Sequence, residues 1–131
     1  MNAFAQRLHA KLSTGSHLCV GIDPHPALLA DWGLADTPQN LAFFGRCLID
    51  AAAAGGAAAV KPQSALFERH GSRGIGALEE VLARAHEAGM LTILDVKRGD
   101  IGSTMAGYAE AYLSDTSPLA ADAVTLAPYL G

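Results

Sequence analysis

Four short apolar segments alternate along the chain with longer segments in which apolar residues recur at helical spacing. The four segments span residues 17–23, 57–62, 91–97 and 122–128. Each is almost uniformly apolar rather than alternating, which is typical of parallel strands covered on both faces. The pattern therefore predicts four strands of a parallel β-sheet with helices between them.

Three helices are predicted between these strands. Thr37 can cap the first helix, with Pro38 in its first turn. The second should end at Gly89, which readily adopts a left-handed conformation, and the third must end before Pro118. The apolar faces contain Leu41, Phe44, Leu48 and Ile49 in the first helix, Ile75, Leu78, Leu82 and Ala85 in the second, and Met105, Tyr108, Ala109 and Tyr112 in the third.

The glycine-rich segment 71–76 lacks the GxGxxG order of a phosphate-binding loop, so we interpret it as the loop before the second helix.

Two architectures fit the order βαβαβαβ: a small doubly wound open sheet, and the first half of a (β/α)₈ barrel. The strands start roughly 30 to 40 residues apart, and eight such units would need about 250 residues. The chain has 131 residues. Asp23, Lys61, Asp95 and Lys97 stand at the carboxyl ends of three successive strands, as expected of polar groups around a barrel mouth.

The barrel is therefore favoured over the open sheet. The predicted fold class is α/β, of the parallel TIM-barrel family, with only the first four βα units present. We expect residues 1–131 to form a single domain, the amino-terminal half of a barrel whose carboxyl-terminal half is absent from this sequence.

Composition and charge limit the classes of function. Hydrophobic residues make up 50% of the chain and charged residues 17%, as in globular proteins. A net charge of −4 without a cluster of Lys and Arg argues against a nucleic-acid partner. The apolar run at 51–60 is half of the roughly 20 residues that cross a bilayer, and residues 1–12 lack the apolar core of a signal peptide. We expect a cytoplasmic protein without a membrane partner.

The most informative stretch is LTILDVKRGDIGST, in which Asp95, Lys97 and Asp100 directly follow an apolar run. Because side chains alternate along a strand, Asp95 and Lys97 should share one face, whereas Asp100 falls in the following loop. With Asp23 and Lys61 at the ends of neighbouring strands, the residues predict one array of carboxylates and ammonium groups. A plain ion pair, with Asp100 capping the next helix, is the structural alternative.

Four segments resemble the orotidine 5′-phosphate decarboxylase family, especially its bacterial DxKRGDIGxT branch. These are GIDPHP, VKPQSALFE, DVKRGDIGSTMAGYA and AVTLAPYLG, in the right order from about residue 17 to Gly131. The resemblance implies a decarboxylase that converts orotidine 5′-phosphate to UMP and CO₂ in de novo pyrimidine synthesis, without metal or organic cofactor. It also implies that Lys61, Asp95, Lys97 and Asp100 form the catalytic array.

The resemblance further implies a homodimer. Asp100, Ile101 and Thr104 would contribute to the active site of the other subunit, while Asp23 would hold the ribose with Lys61 beside it. Phosphate-binding residues would come from strands five to eight, so we expect the chain to need the missing half for activity.

Two alternatives stay open. The first is an Mg²⁺-dependent sugar-phosphate decarboxylase or synthase of the same superfamily, which resembles this chain in DxKxxD but has a carboxylate where this sequence has Lys61. The second is a non-catalytic half-barrel that serves as a binding module. The five histidines show no HxH or HxxxH spacing, so no metal site is predicted.

Overall fold

The computed structural model describes residues 4–128, and all structural statements refer to this range. The elements, in chain order, are α1 (Phe4–Ser13), β1 (Cys19–Ile22), α2 (Pro26–Asp31), α3 (Pro38–Ala54), β2 (Ala59–Pro62), α4 (Ser64–Glu68), α5 (Gly71–Glu87), β3 (Leu91–Arg98), α6 (Gly102–Leu113) and β4 (Ala123–Leu126). The four predicted strands and three predicted helices are confirmed. The resemblance at positions 129–131 lies outside the described residues. No helix of the described part is long and apolar enough to span a bilayer.

The strands form one parallel sheet whose spatial order, β1-β2-β3-β4, follows the chain. Residue Val20 pairs with Val60, and Ile93 pairs with Ala123 further along the sheet. A doubly wound sheet reverses its strand order at a switch point, and this sheet does not. The consecutive order is that of a barrel segment, and it brings the carboxyl ends of all four strands to one edge.

Helices α3 and α5 cover one face of the sheet and supply much of its core. Their fully buried side chains include Leu41, Phe44 and Ile49 of α3 and Leu78, Val81 and Leu82 of α5, packed with Val60 and Leu94 of the strands. Helix α6 differs because none of its residues is buried. Its predicted apolar face lines a cavity of about 310 Å³ against β3 and β4.

The glycine-rich segment 71–76 is part of a helix, so its interpretation as a loop was wrong. Helix α5 begins at Gly71 and includes the whole segment. Gly74 is buried, and a Cβ atom there would lie 1.9 Å from the carbonyl oxygen of Phe67. Glycine therefore permits α5 to pack closely against the end of α4, although it weakens a helix in isolation.

Polar contacts attach α1 to the amino-terminal edge of the sheet. The Asp122 carboxylate accepts hydrogen bonds from the backbone nitrogen of Thr92 at 2.8 Å and from its hydroxyl at 3.1 Å, and it is ion-paired with Arg7 of α1. Lys11 donates a hydrogen bond of 2.9 Å to the carbonyl oxygen of Gly89. Helix α1 has no fully buried residue, so these polar contacts contribute to its position on the sheet.

Gly45 of α3 lies close to α5 and provides a test of their packing. A Cβ atom at Gly45 would lie 2.4 Å from Cγ2 of Val81, a stiff and fully buried side chain. We expect Gly45→Ala to lower the free energy of unfolding by about 1–3 kcal/mol through overpacking. Urea unfolding followed by circular dichroism measures the change.

Gly76→Ala is the matched control for this test. It lies inside α5, with nothing within 4 Å of the added Cβ atom. This substitution should raise the free energy of unfolding by up to about 1 kcal/mol, because alanine favours a helix more than glycine does. Equal stabilisation by both substitutions would contradict the tight helix contact.

Candidate active site

The carboxyl edge of the sheet carries the predicted charged residues. Lys61 lies near the end of β2, and Asp95 and Lys97 lie in the second half of β3. In β3, Thr92, Leu94 and Val96 are buried. Asp95 is also largely buried, with 8% exposed, but Lys97 Nζ reaches its Oδ1 atom at 2.7 Å, so the two side chains lie together as predicted.

The Asp95 carboxylate accepts four hydrogen bonds and forms the centre of the site. Its Oδ1 atom accepts from Lys97 Nζ at 2.7 Å and from Thr125 Oγ1 at 2.8 Å. Its Oδ2 atom accepts from Lys61 Nζ at 3.1 Å and from Gln63 Nε2 at 3.1 Å. A carboxylate offers about four acceptor positions, so its orientation is fixed by residues of β2, β3 and β4 and by Gln63 just after β2.

These contacts keep Asp95 ionised. Burial by itself raises the pKa of this carboxyl, but hydrogen bonds from Lys97, Thr125 and Lys61 together hold the pKa well below its usual range. The cluster then contains two ammonium groups and one carboxylate. The two ammonium groups can attract an anionic part of a ligand.

The Lys97 side chain remains accessible although its backbone is constrained. About 63% of the side chain is exposed, and its φ of 48° lies in the left-handed region. That conformation costs a residue other than glycine roughly 1–2 kcal/mol. The pairing of β3 with β4 is irregular between Leu94 and Arg98, around this residue. Strict alternation did not predict this irregularity.

Asp23 directly follows β1 at the same edge. Its Oδ1 atom is buried and has no hydrogen-bond partner within residues 4–128. An unsatisfied buried acceptor costs roughly 1–3 kcal/mol, so this atom is suited to receive a donor from a ligand. Gly21 pairs with Lys61 in the sheet, which places Asp23 beside the end of β2.

Asp100, Ile101 and Thr104, which were predicted to serve a neighbouring subunit, do not join this cluster within residues 4–128. Asp100 accepts a hydrogen bond of 2.7 Å from the backbone nitrogen of Ile101. Ile101 itself is the N-cap of α6 and is 77% exposed, and Thr104 is exposed in the first turn. The alternative in which Asp100 caps the helix is therefore not observed. The ion-pair partner of Lys97 in residues 4–128 is Asp95.

Sequence reasoning missed Gln63 and Thr125. Gln63 stands two residues after Lys61, so the alternation of a strand could have placed it on the same face. Thr125 had no comparable signal, because an uncharged hydroxyl in an apolar strand is common. No three His, Cys, Asp or Glu side chains in residues 4–128 are grouped as metal ligands would be.

Comparison with known proteins identifies similar chains. The family model described as orotidine 5′-phosphate decarboxylase / HUMPS family matches residues 16–131. The orotidine 5′-phosphate decarboxylase of a Nocardioides species is 56% identical over 131 residues, which is 100% of this chain and 48% of the relative. That of Salinispora arenicola is 54% identical over 100% of this chain and 47% of the relative. The chain spans about half the length of the curated relatives it matches.

Solved structures show the same partial coverage. A protein of Streptomyces avermitilis superposes with a TM-score of 0.93 and 53% identity, over 100% of this chain and 46% of that chain. Leishmania donovani OMP decarboxylase superposes with a TM-score of 0.80 and 35% identity, over 99% of this chain and 46% of that chain. These neighbours are TIM barrels, so the prediction of four units from a (β/α)₈ barrel is confirmed.

The hydrogen bonds to Asp95 predict a pH-dependent contribution to stability. Because its pKa is lower in the folded state, the ionised carboxyl stabilises the fold at pH values above its unfolded pKa of about 4. We expect Asp95→Asn to lower the free energy of unfolding by about 1–3 kcal/mol at pH 7. The difference from the wild type should shrink as the pH falls below 4.

Urea unfolding between pH 3 and pH 7 measures this difference. Asp115→Asn, at an exposed turn, serves as the control and should change stability little. A difference between wild type and Asp95→Asn that stays constant down to pH 3 would contradict the role assigned to the ionised carboxyl.

Proposed function

Because the chain belongs to the orotidine 5′-phosphate decarboxylase / HUMPS family, we propose that the protein containing it converts orotidine 5′-phosphate to UMP and CO₂ in pyrimidine biosynthesis. The observation that carries this proposal is the fully hydrogen-bonded Asp95 between Lys61 and Lys97. The relatives named as orotidine 5′-phosphate decarboxylases support it by their identity over the whole chain.

Lys97 is proposed to stabilise the reacting carbon and to protonate it. Loss of CO₂ breaks the bond at C6 of the pyrimidine, and the electron pair stays on C6, where no ring system accepts it. The site must therefore stabilise a carbanion electrostatically and supply a proton. The exposed ammonium of Lys97, held 2.7 Å from Asp95, gives its proton to C6 and later regains one from water.

Asp95 is proposed to orient Lys97 and to repel the departing carboxylate. Two unit charges about 4 Å apart repel by roughly 4 kcal/mol at an effective dielectric constant of 20. The neighbouring ammonium groups of Lys61 and Lys97 offset part of this repulsion. Enzymes lower barriers by about 8–23 kcal/mol, so most of the effect must come from carbanion stabilisation and from binding energy at the ribose and phosphate.

We place the ribose at Asp23 and Lys61. The buried, unpartnered Oδ1 atom of Asp23 supports this placement, because a sugar hydroxyl would supply the donor that it lacks. Lys61 lies on the adjacent strand and can donate to a second hydroxyl while it remains bound to Asp95. No residue of this chain is assigned to the phosphate.

We propose that the active form is a homodimer of complete barrels. Within residues 4–128, Asp100, Ile101 and Thr104 are exposed and form no hydrogen bond or ion pair with the Lys97 cluster, which supports a role at the site of a neighbouring subunit. The carboxyl-terminal half of the barrel would supply the phosphate site, so we infer that residues 1–131 depend on such a half for turnover.

The reaction is proposed to need no metal or organic cofactor. The alternative, an Mg²⁺-dependent sugar-phosphate enzyme, requires a cation near the end of β2. The ammonium groups of Lys61 and Lys97 flank the Asp95 carboxylate there and would repel a cation. The donor set therefore favours an anionic substrate.

Complementation tests this proposal directly. Mixing residues 1–131 with the carboxyl-terminal half of the Nocardioides relative should give decarboxylation of orotidine 5′-phosphate, followed by its ultraviolet absorbance, and the activity should persist in EDTA. The chain alone should be inactive, and full turnover by it would contradict the need for a second half. Strict Mg²⁺ dependence would instead support the sugar-phosphate alternative, and binding of UMP without turnover would support a binding module.

Substitution of Lys97 tests its role as proton donor in the same complemented barrel. Lys97→Ala should lower kcat by about 10²–10⁴-fold, the usual contribution of a general acid, and weaken UMP binding much less. Arg98→Ala is the control, because this neighbouring cation is paired with Glu68 instead. Comparable losses of turnover and UMP binding in Lys97→Ala would count against proton donation.

A further inference from the structure

Thr125 lies opposite an irregular segment of β3. The pairing of the two strands runs from Leu94–Val124 to Arg98–Leu126. Three residues of β3, positions 95–97, therefore lie opposite one residue of β4. A bulge of this kind interrupts the ladder and leaves backbone groups in need of other partners.

The Thr125 hydroxyl makes two hydrogen bonds to the bulged segment. It accepts the backbone N–H of Lys97, with 3.0 Å between nitrogen and Oγ1, and donates to Asp95 Oδ1 at 2.8 Å. One oxygen atom thus satisfies a donor that the bulge removes from the ladder and also orients the carboxylate. The left-handed backbone of Lys97 is a strained conformation that persists only where its surroundings hold it.

We propose that Thr125 is a positioning residue, which holds the Lys97 backbone and the Asp95 carboxylate in the arrangement that aims the Lys97 ammonium at the reacting carbon. Its catalytic consequence rests on the proposed function, whereas its effect on Asp95 does not. Thr125 acts through these two residues, so its loss should impair turnover more than substrate binding.

A matched control lies at the opposite edge of the same two strands. Thr92 of β3 donates to Asp122 at 3.1 Å and accepts the backbone N–H of Asp122 at 3.0 Å. This Thr–Asp pair also bridges β3 and β4, but it lies at the amino-terminal edge, away from Lys97. Thr92→Val therefore removes similar contacts without touching the site.

The first measurement is the titration of the Asp95 carboxyl by ¹³C NMR in residues 1–131. The charged groups that face it are Lys61 from β2 and Lys97 from its own strand, and they are unchanged in all variants. Thr125→Val, which removes the hydroxyl, should move the titration to higher pH, because a donor to the ionised form is lost. Thr125→Ser, which keeps the hydroxyl, and Thr92→Val should titrate as the wild type. An unchanged titration in Thr125→Val, or an equal change in Thr92→Val, would overturn the proposal.

The second measurement needs no variant. Hydrogen exchange of the wild-type chain should show the Lys97 amide protected to a degree similar to the paired amides of β3, because the Thr125 hydroxyl replaces its ladder partner. Exchange as fast as that of an unstructured loop would overturn the proposal even if Thr125→Val fails to fold.

The third measurement is turnover in the complemented barrel. Thr125→Val should lower kcat at least about tenfold, since small displacements of reacting groups cost up to about 100-fold, and change KM by less than about threefold. Thr125→Ser should restore most of kcat, and Thr92→Val should leave it near the wild-type value. A changed titration with unchanged kcat would overturn the catalytic consequence. An inactive complemented wild-type barrel would contradict the proposed function, whereas the titration and exchange results would still test the effect of Thr125 on Asp95 and Lys97.

Discussion

The carboxylate of Asp95 accepts hydrogen bonds from residues on both neighbouring strands and on its own. Such an arrangement requires that β2, β3 and β4 be adjacent, parallel and in register at their carboxyl ends. The consecutive order of the sheet meets that requirement, and the buried faces of α3 and α5 keep the strands together. The core thus fixes the positions of the charged groups, and the hydrogen bonds that Asp95 accepts keep this carboxyl ionised. Removing any one strand would leave at least one donor or acceptor of this set unpaired at considerable cost.

The sequence was most informative where the local residue pattern and the packing of the whole fold favour the same structure. Uniformly apolar runs predicted the four strands, and a capping threonine followed by proline predicted the start of α3, where Thr37 accepts from the backbone of Asn40. Alternation predicted that Asp95 and Lys97 share a face. The sequence pattern failed where tertiary contacts determine the structure. Helices α2 and α4 have only 6 and 5 residues, too few for a periodic pattern. Gly74 is accommodated in a helix because a larger residue would meet the neighbouring Phe67 carbonyl. The bulge at Lys97 and its contact with Thr125 likewise depend on a partner strand 28 residues away.

The overall charge of the chain says little about the charges collected at its carboxyl edge. The sequence carries a net charge of −4, whereas the edge that holds Asp95 combines it with two ammonium groups. Composition alone would suggest that the chain repels anions. The net charge of the whole chain does not determine the charge at the site, because the parallel sheet brings residues that are distant in sequence to a single edge. The grouping of these charges is therefore a property of topology, and a shuffled sequence of the same composition would lack it.

Strands β3 and β4 are joined by two Thr–Asp pairs of opposite polarity, with threonine on β3 at the amino-terminal edge and on β4 at the carboxyl edge. The first pair is connected through Arg7 to α1, and the second is connected to Lys97. The two ends of one strand pair are consequently exposed to different selection. On the proposed function, variation around Asp122 would change how much folded protein a cell maintains, whereas variation around Thr125 would also change the turnover of each folded molecule. Loss of stability near Asp122 could then be offset by stabilising substitutions anywhere in the fold. Loss of turnover near Thr125 would be offset only by residues that restore the same hydrogen bonds.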